Sequence, residues 1–272
     1  MTSIFLSHDN LDVLQVQMNI ELRKVTYWLC LNKLSINISK TQYMVFTNKK
    51  YNAYDLRLEL ANSVISKVSN VKFLGVMIDD KLQWTNHINL ICNKISKNIG
   101  VMYKLCSFPK HILKMIYYAL IAPFLSYGIL AYGSAPNSLL DRIFKLQKRA
   151  IRIINHSSFL AHTEPIFKQH KILKFYDLYK LETALFMFTC HKCLLPQSLS
   201  QYFELNNEVH TYPTRSSSNY HLPLVRTNLV LKSIFYRGPL CWNSLPVEVR
   251  DSCSLNVFKG KLKRYMICLY SF

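Results

Sequence analysis

The spacing of the apolar residues changes twice along the chain, and this change constrains the fold more than any other feature of the sequence. Residues 9–31 carry apolar side chains at steps of three and four, which predicts an amphipathic helix capped by Ser7 or Asp9. The residues that set this period are Leu11, Leu14, Met18, Leu22, Val25 and Leu29. Between residues 41 and 78 the apolar runs are short, β-branched or aromatic, which indicates strands. The helical spacing returns from Asn86 onward, so we expect an α+β protein that is mainly α.

The middle stretch predicts one small antiparallel sheet, with turns at 62–63 and 69–70. Its predicted strands are Thr41–Phe46, Leu56–Leu60, Val64–Val68 and Val71–Ile78. After the last of them, Asp79–Lys81 is expected to reverse the chain and Leu82–Trp84 to return as a further strand. The helices expected beyond it are His87–Leu105, Lys110–Tyr132, Leu139–Asn155, Glu164–His170, Phe175–Leu195 and a basic helix near Ser254–Leu269. Residues 206–223 are polar with two prolines and predict a loop.

The charge of the chain is strongly unbalanced, with 34 Lys and Arg against 15 Asp and Glu, a net charge of +19. The excess is spread along the whole sequence and is not confined to a tail. It predicts a polyanionic partner, either nucleic acid or an anionic membrane. Half of the residues are hydrophobic, which excludes an intrinsically disordered protein, and neither GxGxxG nor GxxxxGK[ST] occurs.

A row of basic residues on one predicted helix is the sharpest part of this charge. We call it the cationic ridge, and its members are Arg142, Lys145, Lys148, Arg149 and Arg152. The opposite face of the helix carries the apolar residues Leu139, Ile143, Leu146, Ala150 and Ile154. Solvated faces usually mix both charge signs, but Asp141 is the only acid between residues 115 and 163. We therefore predict that the ridge contacts nucleic-acid phosphates, with an ordinary solvated face as the alternative.

Residues 115–140 carry no charged side chain and are long enough to cross a bilayer. Pro123 and Gly128 lie within the stretch and, together with its tyrosines, favour a buried core helix that bends at Pro123. We therefore predict no membrane partner. The first residues do not form a secretory signal, so we expect an intracellular protein, nuclear or cytoplasmic, whose eight cysteines are reduced thiols. The sequence leaves the oligomeric state open.

Two short motifs have the residue types of metal sites. Asp79-Asp80 is the only adjacent pair of carboxylates, and polymerases hold two Mg²⁺ with such a pair and a third Asp on a neighbouring strand. Three of the five acids upstream fall on or beside the first predicted helix, so we favour a turn over a metal site. Cys190 and Cys193 have zinc-ligand spacing, but no second such pair exists and both fall inside a predicted apolar helix. We predict no metal site in this chain.

Four runs of residues together resemble the reverse transcriptases of non-LTR retrotransposons, LINE elements of the jockey or CR1 kind. The first is Trp28 followed by the run Asn32–Asn37 and by Lys40-Thr41, similar to the box that follows the catalytic Asp-Asp hairpin in that family. The second runs from Phe73-Leu74-Gly75 through Asp79 and Trp84 to Ile88, and it resembles the primer-grip region.

The other two runs lie further along the chain. The third consists of Tyr127-Gly128, Tyr132-Gly133 and the run Leu146–Arg152, and it resembles a thumb-side stretch in which Trp is common at the place of Tyr132. The fourth consists of Gly238-Pro239, Trp242–Pro246 and Phe258-Lys259, and it resembles the C-terminal ending of the family. Each run is moderately specific, but the four follow the family's order and extend over nearly the whole chain.

The resemblance implies a C-terminal fragment of a reverse transcriptase that starts just after the catalytic Asp-Asp box. Residues 1–85 are then the end of the palm, 86–200 a thumb-like helical region and 201–272 a C-terminal extension. No catalytic metal ligand carries over, and Mg²⁺ is expected only in the complete enzyme. Phe73, Leu74 and Gly75 are implied to be primer-grip-like. Lys40 lies where related polymerases have a candidate general acid for the leaving pyrophosphate, with a surface lysine as the alternative.

We therefore predict a truncated RNA-directed DNA polymerase that is inactive as this chain and retains binding to template–primer nucleic acid, either RNA or an RNA–DNA hybrid. The alternatives are a partial enzyme that uses Asp79-Asp80, a non-catalytic interaction module, a decayed element product without function, and a membrane protein.

Overall fold

A computed structural model describes residues 3–47, 56–61, 63–210 and 215–270. The chain divides into two compact units, residues 1–86 and 87–272. The first boundary predicted from the sequence lies one residue earlier. The second unit includes both the predicted helical region 86–200 and the predicted extension 201–272. The assignment of these parts to a palm and a thumb stays a prediction.

The first unit is built on helix α1, Leu11–Leu31. Its cap is Asn10, whose side-chain oxygen accepts a hydrogen bond of 2.8 Å from the backbone N–H of Asp12, so the predicted caps Ser7 and Asp9 are wrong. The predicted apolar face is the one that turns inward, with Leu22 buried and the other members partly buried. The buried cluster beneath the helix consists of Leu22, Leu56, Leu58, Leu60 and Ile65.

A 3-10 turn, Ile38–Lys40, leads from this helix into short strands. The strands are β1 Gln42–Tyr43, β2 Glu59–Leu60, β3 Ser63–Val64, β4 Ser66–Lys67, β5 Asn70–Phe73 and β6 Val76–Asp79. Within the described residues β1 pairs with β4 in parallel, whereas β2 pairs with β3 and β5 with β6 in antiparallel fashion. The mainly helical α+β class is therefore confirmed, but the single antiparallel sheet is wrong. Asn62, one of the predicted turn residues, lies outside the described residues.

The predicted strand Val71–Ile78 is in fact the hairpin formed by β5 and β6. Phe73 pairs with Val76, so Leu74 and Gly75 form a two-residue turn. Their φ angles are 45° and 85°, the left-handed values that such tight hairpin turns require at both positions and that glycine adopts most easily. The periodicity missed this turn because Leu74 is apolar and continues the run.

The chain after β6 does not return as a strand, so the prediction for Leu82–Trp84 is wrong. The carboxylate of Asp79 accepts hydrogen bonds from the backbone N–H groups of Lys81 at 3.2 Å, Gln83 at 2.8 Å and Trp84 at 2.8 Å. These bonds hold a turn in which Leu82 and Trp84 have positive φ. Helix α2 begins directly after it, at Thr85.

The second unit is helical over most of its described residues. Its helices are α2 Thr85–Lys104, α3 Lys110–Leu120, α4 Ala122–Ser126, α5 Ile129–Tyr132, α6 Asn137–Ile154, α7 Glu164–His170, α8 Phe175–His191, α9 Gln197–Ser200, α10 Asn206–Val209, α11 Asn228–Lys232, α12 Ile234–Asn243, α13 Val247–Arg250 and α14 Leu255–Cys268. The predicted ends of α2, α6, α7 and α14 lie within two residues of these bounds. Helix α8 ends four residues earlier than predicted, so Cys193 lies beyond it.

The predicted helix Lys110–Tyr132 is wrong, because this stretch forms the three helices α3, α4 and α5. Pro123 lies in the first turn of α4. The N–H groups of a first turn have no partner within the helix, so the missing N–H of proline costs no hydrogen bond there. Gly128 has a φ of 68° and separates α4 from α5. None of the helices in the described ranges combines the length and the apolar character that a bilayer span needs.

Helix α8 is the centre of the second unit, with α4, α5, α6, α12 and α14 packed against it. The ring centre of Phe188 in α8 lies 4.6 Å from the ring centre of Phe258. The ring centre of Phe258 lies in turn 5.8 Å from that of Trp242. The fourth run of the sequence resemblance thus supplies core residues that join the last helices to α8. The prediction that residues 206–223 form a loop is only partly right, because they include helix α10 and because Tyr220 forms a β-bridge with Leu205. Residues 211–214 lie outside the described ranges.

Candidate nucleic-acid interface

Helix α6 carries the cationic ridge on one face and core residues on the other. Its buried residues are Leu140, Ile143, Gln147, Ala150, Ile151, Ile153 and Ile154. Ile143, Ala150 and Ile154 were predicted for this face, whereas Leu139 and Leu146 are only partly buried. Four buried residues fall outside the predicted stripe, and one of them, Gln147, is a polar residue with no solvent exposure.

Gln147 joins three parts of the second unit. Its side-chain NH₂ group donates to the hydroxyl oxygen of Tyr117 in α3 and to the backbone carbonyl of Leu173, both at 2.9 Å. Its carbonyl oxygen accepts a bond of 2.8 Å from the backbone N–H of Phe175, at the start of α8. Both amide protons and the amide oxygen are therefore used, as a buried amide requires. Burial raises the pKa of Tyr117 far above its usual value, so this partner stays a neutral phenol.

The cationic ridge faces away from this core. Arg142, Lys145 and Arg149 are exposed, and Lys148 and Arg152 are partly buried. No member of the ridge forms an ion pair with a carboxylate among the described residues. The nearby acid of the same helix, Asp141, instead accepts a hydrogen bond from the hydroxyl of Tyr176.

The other contacts of the ridge fix some of its side chains and leave others free to bind. A guanidinium nitrogen of Arg142 donates to the side-chain oxygen of Asn89 at 2.8 Å, and the ammonium of Lys148 lies 4.4 Å from the ring centre of Phe144. Arg152 donates to the carbonyl of Ala161 at 2.9 Å. Lys145 and Arg149 make no side-chain hydrogen bond with the described residues.

A lysine and a histidine from two other helices bind the residue at the end of α6. The side-chain oxygen of Asn155, the residue after that helix, accepts hydrogen bonds from Lys110 of α3 and from Nε2 of His170 of α7, both at 3.1 Å. Burial lowers the pKa of His170, and Lys114 and Lys110 lower it further. We call Lys110, Lys114, Lys259 and Lys263 the cationic patch.

Within the cationic patch, Lys263 of α14 is close enough to Lys114 of α3 and to Lys259 of its own helix to be affected by their charges. Burial lowers the pKa of Lys263 in α14, and the charges of Lys114 and Lys259 lower it further. Such crowding of like charges favours an anionic partner. The residues of this patch come from two distant segments of the sequence, so no single helical period predicts it.

The other predicted site residues lie in the first unit. Phe73, Leu74 and Gly75 are together at the tip of the β5–β6 hairpin, where the Leu74 side chain is 63% exposed. Lys40 is exposed at the end of the 3-10 turn. The primer-grip role of the hairpin and the acid role of Lys40 stay predictions.

The two motifs with metal-ligand residue types have structural roles in the part of the chain that the structure describes. Asp79 uses its carboxylate for the three backbone bonds of the turn before α2. Cys190 is buried in α8, whereas Cys193 is exposed and has a φ of 54°. In the described ranges no group of three or more His, Cys, Asp or Glu side chains is placed to hold a metal ion.

Sequence comparison finds relatives of the chain among known proteins. It is 27% identical over 203 residues to the RNA-directed DNA polymerase from the mobile element jockey of Drosophila melanogaster, covering 72% of this chain and 22% of that protein. It is 28% identical over 155 residues to the jockey polymerase of Drosophila funebris, covering 55% and 17%. It is 26% identical over 125 residues to the probable RNA-directed DNA polymerase from transposon BS of Drosophila melanogaster, covering 44% and 14%.

These similarities confirm the predicted resemblance to RNA-directed DNA polymerases of non-LTR retrotransposons. The chain spans about a fifth or less of the length of these curated relatives. No protein-family model matches the chain, and no solved structure gives a significant match.

The role of Gln147 as the anchor of the ridge helix can be tested by Gln147→Leu. This change leaves the Phe175 N–H and the Leu173 carbonyl without their partner, and each buried unpaired group costs about 1–3 kcal/mol. We expect a loss of roughly 2–5 kcal/mol in the free energy of unfolding, measured by urea denaturation. Gln169→Leu, at an exposed position of α7, is the matched control and should change it by less than about 0.5 kcal/mol. Equal midpoints for the two variants would contradict the anchoring role.

Proposed function

We propose that the chain binds template–primer nucleic acid, RNA or an RNA–DNA hybrid, through the cationic ridge and the adjoining cationic patch. The main support for this proposal is the ridge itself, which places five cations on one helix face with no carboxylate partner among the described residues. Exposed cations in proteins gain little from isolated surface pairs, and a row in which no cation is paired with a carboxylate is best neutralised by a polyanion.

The dimensions of the ridge suit a nucleic-acid backbone. Its first and last members, Arg142 and Arg152, are ten residues apart, which corresponds to about 15 Å at the rise of an α-helix. One strand of a duplex advances about 3.4 Å per phosphate, so the ridge can follow roughly four to five phosphates. Three of its five members are arginines, whose planar guanidinium groups bind phosphate oxygens in pairs. Binding of this kind depends on the backbone and carries little base specificity.

The ridge is held in place before any ligand arrives. Gln147 fixes the buried face of α6 to α3 and to the start of α8, so the helix need not order on binding. A preformed surface loses less conformational entropy on association, and more of the phosphate attraction remains as affinity.

The relatives support the same class of ligand. RNA-directed DNA polymerases act on an RNA template and a growing DNA strand, as their names state. The run Leu146–Arg152, which the sequence analysis related to a thumb-side stretch of such enzymes, contains three ridge residues and the anchor Gln147.

We further propose that the 272 residues do not polymerise DNA by themselves, and that Mg²⁺ serves only a complete enzyme. Asp79 belongs to the only adjacent pair of carboxylates in the sequence, and its oxygens accept the three backbone hydrogen bonds of the turn before α2. A primer-extension assay with the purified chain and Mg²⁺ should therefore show no incorporation. Incorporation that disappears in Asp79→Asn/Asp80→Asn would contradict this part and favour a partial enzyme that uses the pair.

Binding through the ridge is tested by Arg142→Gln/Lys145→Gln/Lys148→Gln. Arg149 and Arg152 are kept because they line a neighbouring cleft. Each lost phosphate contact weakens binding by a fraction of a kcal/mol to about 1 kcal/mol, so we expect a Kd for an RNA–DNA hybrid that is roughly 10- to 100-fold higher. The slope of log K against log salt should shrink by about 3, one for each lost contact. Fluorescence anisotropy at several salt concentrations measures both quantities.

The matched control is Arg23→Gln/Lys24→Gln/Lys33→Gln, which removes three exposed charges from the first unit. It should leave both affinity and salt slope within about twofold of the unmodified chain, since general attraction is the same for both triple variants. Equal effects of the two triples would place binding elsewhere. Absence of hybrid binding by the unmodified chain would favour a protein-interaction module.

A further inference from the structure

A cleft of about 330 Å³ opens at the C-terminal end of α6. Its wall includes Tyr103 and Cys106 near the end of α2, and Arg149, Arg152, His156 and Phe159 at the end of α6 and just beyond. No carboxylate is among its lining residues. The volume lies at the lower end of the range of small-molecule sites, which suits a ligand no larger than a mononucleotide.

The loop after α6 holds the wall of this cleft in a defined shape. His156 has a φ of 54° and turns the chain out of the helix, and Ser157 N–H donates to the carbonyl of Arg152 at 3.0 Å. Arg152 then reaches across the loop and donates to the carbonyl of Ala161 at 2.9 Å. Its guanidinium carbon also lies 5.8 Å from the ring centre of Phe159. Arg152 thus positions the loop.

The fixed loop presents an aromatic ring to solvent. Phe159 is 66% exposed, and Tyr103, which also lines the cleft, is 46% exposed. Arg149 lies about one helical turn before Arg152, is exposed and makes no side-chain hydrogen bond with the described residues. The cleft therefore combines two accessible ring faces with one cation that has no competing partner.

This combination is the chemistry that binds unpaired nucleotides. Proteins hold single-stranded nucleic acid by stacking bases on exposed aromatic rings and by placing arginine or lysine beside the backbone. A paired base inside a duplex cannot offer its face to a ring, so the cleft selects a nucleotide that has left the duplex.

We propose that the cleft binds one unpaired nucleotide, with its base stacked on Phe159, the more exposed of the two rings, and its phosphate at Arg149. The nucleotide belongs to a single-stranded stretch that continues from the duplex bound on the ridge, so the proposal rests on the proposed function. It adds to that function a preference for junctions between duplex and single strand.

The experiment compares a blunt RNA–DNA hybrid with hybrids of the same duplex that carry a three-nucleotide overhang at the 5′ or the 3′ end of the RNA strand. Stacking of one base on an aromatic side chain predicts about 5- to 100-fold tighter binding for at least one overhang. A 2-aminopurine placed at the first unpaired position should be quenched on binding, which a purely electrostatic contact would not cause.

Phe159→Leu removes the ring and keeps an apolar side chain. It should abolish the overhang advantage and the quenching and leave the affinity for the blunt hybrid unchanged. Tyr27→Leu, at a position in α1 with 67% exposure, is the matched control and should change neither. Tyr103→Leu removes the second exposed ring of the cleft and should reduce the overhang advantage less than Phe159→Leu does. Urea midpoints verify that each variant folds.

The two proposals fail in different ways. Equal affinity of blunt and overhang hybrids for the unmodified chain, with normal ridge-dependent binding, would overturn the cleft proposal alone. An overhang advantage that survives Phe159→Leu would overturn it as well. If the blunt hybrid does not bind, the proposed function fails. The cleft proposal then requires that a single-stranded oligonucleotide bind and lose affinity in Phe159→Leu, and it falls if this does not happen.

Discussion

The buried side chain of Gln147 is the interaction on which the candidate interface depends. An amide with no solvent exposure is costly unless its donors and acceptor are all used, and here they bind Tyr117, Leu173 and Phe175. The geometry of these three bonds fixes the rotation of α6 about its own axis. That rotation decides which residues face the core and which face solvent, and so it places the cationic ridge outward as one row.

The electrostatic consequence follows from this fixed rotation. The ridge cations repel one another on one face of α6, and a further cation, Lys110 of α3, is held at the end of α6 by its hydrogen bond to Asn155. Repulsion of this kind destabilises the isolated fold and is relieved when a polyanion binds. The same end of α6 also carries the cleft with exposed Phe159, so charge and ring surfaces adjoin.

The sequence predicted those features whose residues lie within one regular element. The ridge follows from a single helical period, and α7 begins and ends where its pattern predicts. The sequence did not predict features that depend on contacts between distant segments or on unusual backbone angles. Gln147 interrupts an apolar stripe and looks like a surface residue until its three partners are known. Leu74 conceals a tight turn within an apolar run, and the cationic patch joins Lys114 of α3 to Lys259 and Lys263 of α14.

The close packing at Gly133 is another feature that depends on a distant residue. A side-chain carbon there would lie 2.3 Å from a ring carbon of Tyr179 and 2.5 Å from the carbonyl oxygen of Ile129, so only glycine lets α5 approach α8 this closely. The sequence marks Tyr132-Gly133 through a family resemblance but does not state this reason, because it depends on a neighbour more than forty residues away.

The central claim is that nucleic acid lies along the outward face of α6. The most direct measurement is lysine acetylation followed by mass spectrometry, with and without a saturating RNA–DNA hybrid. We expect Lys145 and Lys148 to become protected from acetylation while Lys24 and Lys33 of the first unit keep their reactivity. Unchanged acetylation of Lys145 and Lys148 in the bound complex would contradict it.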